Sequence, residues 1–375
     1  MIEERFVFIS NEKYPSCHAA NICELKNGNL LATWYAGLEE GSDDSVILGS
    51  FFLRFNNTWQ KPFILVNVYK HASGNPRIFI GPDNGLWLLS PINYGKWCNG
   101  GTMLFLKRSY DDGITWTDLE LFIEKKGILG RNKPLYIKPK IWIIPAEYET
   151  TLKVTFIRSE DNGKTWKIIG NIGETENVKL EQPTLVELSN GELLAYMRTW
   201  EGKIYQVRSY DKGKTWTSAE STSLPNNNSG IDMIKLHSSN LILAFNPVGL
   251  GKFGDIFTVN RSLKKATESN YKTNPNNFII AKEFELLRVI KKGKIQYKKE
   301  FSDYPQWGPR SPLSLAISKD EGKTWNICFD LEKGNGEYSY PTILQDSYKL
   351  IHIIYTYNRT RIKHVLLTEN ELLRQ

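Results

Sequence analysis

Cysteine is scarce in this chain. Four residues, Cys17, Cys23, Cys98 and Cys328, stand among 375. None belongs to a Cys-x-x-Cys pair, and none pairs with the five histidines at a zinc-binding spacing, so neither a disulfide framework nor a structural zinc site organises the fold. No metal or other cofactor is expected. No apolar run approaches about 18 residues, which removes a membrane-spanning helix from consideration. The opening Met1-Ile-Glu-Glu-Arg5 carries acids, with no long apolar run behind a basic start. It does not read as a signal peptide, so the expected location is cytoplasmic. Lysine and arginine form no dense stripe interleaved with aromatics, and neither nucleic acid nor a membrane is expected as a partner.

Long stretches with helical period are also missing, whereas aromatic residues are plentiful, with 11 Trp and 18 Tyr. Many rings without helices suggest stacked sheets with aromatic layers. The formal net charge of +7 is mild for this length. It favours acidic partners such as uronates, sialates or phosphates.

The organising feature is a repeat. The phrase Ser-x-Asp-x-Gly-x-Thr-Trp occurs at Ser109–Trp116, Ser159–Trp166, Ser209–Trp216 and Ser318–Trp325, the first three starting 50 residues apart. A worn copy, Phe52-Leu-Arg-Phe-Asn-Asn-Thr-Trp59, precedes them. The phrase describes a hairpin turn. Its Asp side chain can hold the backbone N–H groups of its own turn, and its Gly takes a backbone angle that a Cβ resists. Thr and Trp then start the next strand. These aspartates therefore read as structural.

Between the hairpins lie short apolar runs such as Gly85-Leu-Trp-Leu-Leu89 and Gly191-Glu-Leu-Leu-Ala195, which read as strands bounded by turns. Near 50 residues per unit gives four strands per blade of an all-β propeller. The last segment, from Lys349 to Leu367, has strands and no box. It is expected to pair with Arg5-Phe-Val-Phe-Ile9 and close a sixth blade, which removes exposed edges. From Ser209 to Ser318 the interval is 109 residues. That length admits a seventh blade lacking its box or an insertion within one blade. The Lys-, Asn- and Glu-rich composition favours an insertion at about 252–304 in a single domain spanning 1–375.

The boxes, together with an Arg ending one apolar run and an Arg ahead of the last box, resemble the sialidase superfamily, in its large branch of BNR/Asp-box sialidase-like proteins. The resemblance implies a six-bladed propeller whose channel mouth binds a sugar carboxylate through arginines. It also implies a nucleophilic Tyr paired with a Glu, and an Asp as acid/base. In Glu181-Gln-Pro-Thr through Arg198, Arg198 falls on the second arginine. Arg310, eight residues before the box Ser318, falls on the third. Glu337-Tyr-Ser-Tyr340 points to Tyr338 as nucleophile. Glu40-Gly-Ser-Asp-Asp44 points to Asp44 as acid/base.

Two positions depart from the family pattern. Gln182 stands where the activating Glu belongs, with Glu181 one residue away, and adjacent strand residues ordinarily face opposite sides. His18 stands where the first arginine belongs. A histidine can bind a carboxylate when protonated or act as a base when neutral. Lys133, in Arg131-Asn-Lys-Pro134, and Asn228, in Asn227-Asn-Ser-Gly-Ile-Asp232, are expected to contact substrate hydroxyls. The implied activity is exo-alpha-sialidase-type hydrolysis of a terminal acidic sugar. Two alternatives stand beside it: a lyase or hydrolase for uronate-containing glycans using His18 and Tyr338, and a sugar-binding propeller without turnover.

Overall fold

The computed structural model of the chain describes residues 2–95, 99–250 and 308–374. Among these the only helix is Glu369–Leu373, which Thr368 and Glu371 close with a capping box. None is long and apolar enough to cross a membrane. Everything else regular is strand, arranged in six antiparallel sheets, the blades of a six-bladed propeller.

The innermost strands, in chain order, are Ser16–Glu24, Arg77–Ile80, Leu135–Ile137 with Ile128–Leu129 on the same edge, Leu180–Glu187, Asp232–Lys235 and Tyr338–Gln345. They begin blades one to six. Blade six takes its outer strand from the N-terminus: Glu3–Ile9 runs antiparallel to Arg361–Leu367, with Glu3 opposite Leu366 and Ile9 opposite Arg361. This pairing explains why blade six has no box. The box is the hairpin between the third and fourth strands of a blade, and in blade six those two strands lie at opposite ends of the sequence.

The four full boxes share one geometry. In blade two, the Ser109 hydroxyl donates to Asp111 and accepts from the Gly113 N–H at 2.8 Å. Asp111 accepts from the Thr115 N–H at 2.8 Å and from its hydroxyl at 2.5 Å. The other boxes repeat these bonds at Asp161, Asp211 and Asp320. Gly113 takes φ +88°, as expected, but the preceding Asp112 is also left-handed at φ 57°. The Thr hydroxyl bonds hold Asp111 and Asp320 down to about 2, so these carboxylates are fixed anions within their own turns. Asp211→Ala is expected to lower the melting temperature and leave turnover unchanged, as read by scanning calorimetry beside an activity assay.

The expected insertion at about 252–304 lies outside the described residues. The strands flanking it, Leu241–Phe245 and Leu313–Ser318, pair directly with Leu241 opposite Ser318, and both belong to blade five. The core runs between neighbouring blades. Strand Leu193–Thr199 is buried along its whole length, and Trp34 and Phe156 are fully enclosed. The blades thus pack into a continuous wall around the innermost strands.

Candidate functional site

Three inner strands break their pleat at the same end of the channel. Blades one, four and six carry irregularities between His18 and Asn21, Glu181 and Thr184, and Ser339 and Thr342. A left-handed residue sits in each: Ala19 at φ 53°, Gln182 at 48° and Tyr340 at 55°. Each such non-glycine residue costs about 1–2 kcal/mol. A bulge re-aims its side chains, and here it turns Tyr340 into the centre of the channel.

Tyr340 is buried, and its hydroxyl accepts from Arg198 Nη1 at 2.8 Å. The guanidinium carbons of Arg131, Arg198 and Arg310 lie 5.1, 5.5 and 5.6 Å from its ring centroid. His18 packs on it with centroids 4.1 Å apart. Gly230 makes room, since a Cβ there lies only 3.3 Å from Tyr340 Cγ and 3.1 Å from Gln182 Oε1.

Arg198 also donates to Glu181 Oε1 at 2.8 Å and to the Asn228 carbonyl at 3.3 Å. Burial pulls its guanidinium down, but Glu181 and Tyr340 outweigh that and hold it firmly protonated. Trp200 Nε1 donates to the other Glu181 oxygen at 2.7 Å. Gln182 lies beside the same centre, its side-chain oxygen buried without a hydrogen-bond partner. Glu181 and Gln182 both reach the centre because the bulge cancels the alternation that sets neighbours on opposite faces.

Arg310 and Arg359 share one carboxylate. Arg310 Nη1 donates to Glu337 Oε1 at 2.7 Å, and Arg359 Nε donates to the same oxygen at 2.8 Å. Burial raises the Glu337 carboxyl, but the two guanidiniums overcome it and leave the group below its ordinary 4.5. Arg359 reaches on to Glu40, and the Tyr35 ring lies on the same side, 5.7 Å from His18.

His18 is 1% exposed, and neither ring nitrogen has a hydrogen-bond partner. Burial first, then Arg359, Arg310, Arg131 and Arg198, hold it well below 6.5. These surroundings favour the neutral imidazole.

Several expected residues lie elsewhere. Tyr338 is packed in the hydrophobic layer of blades five and six, 5.0 Å from the Tyr357 ring, and burial pushes its phenol up to about 12. Asp44 caps its own loop, accepting the Leu38 N–H at 3.0 Å and the Ser42 hydroxyl. The carboxylate which that loop sends to the arginines is Glu40. Lys133 donates to the Ile343 carbonyl beside Asp232, and burial lowers its ammonium. Asn228 is at the centre, left-handed at φ 59° and buried. Sequence reasoning passed over Tyr340, Glu40, Glu337 and Arg359 as site residues. For Arg359 a signal exists: Asn358 and Arg359, both at φ 51°, form the tight turn between two paired strands, where Asn-Gly is the relaxed choice.

Residues 28–353 match the BNR repeat-like domain. The chain belongs to this family. An anhydrosialidase of Macrobdella decora is 26% identical over 146 residues, 36% of this chain and 18% of that protein. A sialidase of Bacteroides fragilis (strain YCH46) is 26% identical over 198 residues, 50% of this chain and 32% of that protein. The matched regions thus span less than a third of either curated relative. Among solved structures, the Hadza microbial sialidase Hz136 superposes with a TM-score of 0.71 at 16% identity, covering 98% of this chain and 68% of that one. The fold of this BNR family member is sialidase-like.

Proposed function

We propose that this BNR propeller binds the carboxylate of a terminal acidic sugar on Arg310, Arg359 and Arg198 and hydrolyses its glycosidic bond in the exo-alpha-sialidase manner, with Tyr340 at the reaction centre. The observation that carries this reading is the Arg198–Tyr340 bond inside a collar of guanidiniums. A tyrosine is a weak nucleophile until a neighbour stabilises its oxyanion, and the collar supplies positive charge where that oxyanion forms. Guanidiniums are also the groups that hold a carboxylate by paired bonds. Arg359, arriving from the blade-six hairpin, provides the third cation that His18 does not.

In this scheme the Tyr340 hydroxyl yields its proton to solvent and Oη bonds to the anomeric carbon, while the aglycone oxygen leaves with a proton from an acid that solvent later reprotonates. Water then displaces the tyrosine, releasing the sugar and restoring the phenol. The donor of the first proton is assigned to Asp44, whose carboxyl must exchange Leu38 and Ser42 for the leaving oxygen. Asp44→Asn is expected to slow natural glycans at least about tenfold and to spare activated aryl glycosides, whose leaving oxygens need little protonation. Turnover of a fluorogenic sialoside tests the reading, and no turnover across several sialosides overturns it.

A second reading is favoured by one feature, a neutral His18 with two unpartnered nitrogens against a tyrosine whose hydroxyl meets no carboxylate. Such a pair suits elimination from a uronate. His18 takes the C5 proton, the C4–O bond breaks, and the leaving oxygen takes the Tyr340 proton. Ultraviolet absorbance of an unsaturated uronate product identifies this reaction, and its absence across uronate glycans excludes it.

A further inference from the structure

Blades six and one meet along a buried line of polar groups that neither reaction uses. Trp59 Nε1 donates to His364 Nδ1 at 3.3 Å. His364 Nε2 stands 3.0 Å from His352 Nδ1, and His352 Nε2 stands 2.8 Å from Asp346 Oδ2. Arg54, from blade one, donates to that same Asp346 oxygen at 2.5 Å. Both imidazoles are fully buried and Asp346 nearly so.

The ends of this chain dictate its protons. An indole N–H only donates, and an ionised carboxylate only accepts. Burial raises the Asp346 carboxyl, but His352 and Arg54 bring it down to about 2, so it is ionised. His364 Nδ1 must therefore be bare, His364 Nε2–H donates to His352 Nδ1, and His352 Nε2–H donates to Asp346. Both rings are neutral and each bond has one hydrogen.

One more proton has no place in this line. On His364 it occupies Nδ1 and faces the Trp59 N–H directly. On His352 it occupies Nδ1, which forces His364 to move its own hydrogen to Nδ1, with the same collision. Wherever the proton enters, the Trp59–His364 bond between the blades is lost.

We propose that this Asp346–His352–His364–Trp59 chain is an acid-released latch on the seam between blades one and six. The other charged groups that face it are Arg54 and Glu24 at His352, and Arg5 at His364. Burial holds both imidazoles below their ordinary 6.5, His364 well below. A group whose pKa is depressed in the closed state binds more protons when that state opens. The closed seam is thus most stable above about pH 6.5 and weakens as pH falls below it. The same seam divides the candidate site, with His18, Tyr35 and Glu40 in blade one and Glu337, Tyr340 and Arg359 in blade six. The Arg359–Glu40 contact crosses the same seam at the opposite end of its strands.

Hydrogen exchange of the full chain, corrected for intrinsic rates, between about pH 7.5 and 5 tests the latch. Peptides covering 52–59 and 361–367 are expected to lose protection in acid, by up to about tenfold per pH unit for each proton taken up. A blade-four peptide covering 193–209 is expected to hold. Trp59→Phe removes the opposing N–H, and His364→Gln still donates to His352 but takes no proton. Each is expected to reduce the acid response, with burial still holding the remaining imidazoles low. The proposal is overturned if the wild-type seam peptides track blade four throughout this range, or if Trp59→Phe keeps the full acid response. Should His364→Gln fail to fold, Trp59→Phe alone decides.

Discussion

Tyr340→Phe is expected to reduce kcat by about 10²-fold or more, whereas Tyr338→Phe is expected to leave it within a few-fold of the native rate. The two residues lie two positions apart and the resemblance favours Tyr338, so the pair separates two accounts of one strand. Tyr340 has its hydroxyl on Arg198 and its ring among three guanidiniums and His18. Losing one oxygen there removes the atom that the collar surrounds and keeps the ring's packing. Tyr338 lies in an apolar layer against Tyr357. KM separates the roles further. If Tyr340 acts only as a platform, KM rises and kcat holds. If its oxygen takes part in the reaction, kcat falls and substrate still saturates the site. A Tyr338→Phe variant that loses activity while Tyr340→Phe keeps it refutes the assignment.

The blades were legible because box chemistry is local. Asp111 holds its own turn, Gly113 takes the angle, and Thr115 returns a bond four residues on. Nothing distant decides that geometry, so it repeats wherever the phrase repeats. The closing pair Glu3–Ile9 with Arg361–Leu367 was legible for a different reason: a propeller without it has two bare edges. Arg198 and Arg310 were singled out through the family resemblance, and the structure sets both beside the Tyr340 ring.

The centre was less legible because its side chains are aimed by exceptions to the strand rule. Alternation sets Glu181 and Gln182 on opposite faces, yet Gln182 at φ 48° brings both to the channel. The break between Ser339 and Thr342 likewise exposes Tyr340 to the arginines. Apart from the Asn358–Arg359 turn, these left-handed residues carry no signature in a single sequence. That Ala19, Gln182, Asn228, Tyr340 and Arg359 are left-handed around one centre is a structural observation, and strain of this kind is found where function requires an unusual aim.

Glu337→Ala is expected to destabilise the protein by about 3–5 kcal/mol, the cost of removing one partner from a buried ion pair. Glu337 is 4% exposed and takes bonds from Arg310 and Arg359 through one oxygen, so its loss uncovers positive charge on both guanidiniums at once. Glu337→Gln keeps the shape and an acceptor but not the charge, and should fall between native and Ala in urea midpoint. The pH dependence has a definite sign. The folded carboxyl lies below its ordinary 4.5, so the contribution is complete above that value and fades as pH falls toward the folded pKa. Native and Gln variants should thus converge in stability in acid and separate toward neutrality. The same substitution bears on the site, because Glu337 orients the guanidiniums assigned to the substrate carboxylate. A carboxylate-bearing sugar should then bind Glu337→Gln with altered KM, while a neutral aryl glycoside should not sense the change. If Glu337→Ala instead unfolds at the native urea midpoint, the shared carboxylate contributes nothing to stability, and the cationic cluster must be balanced by other groups.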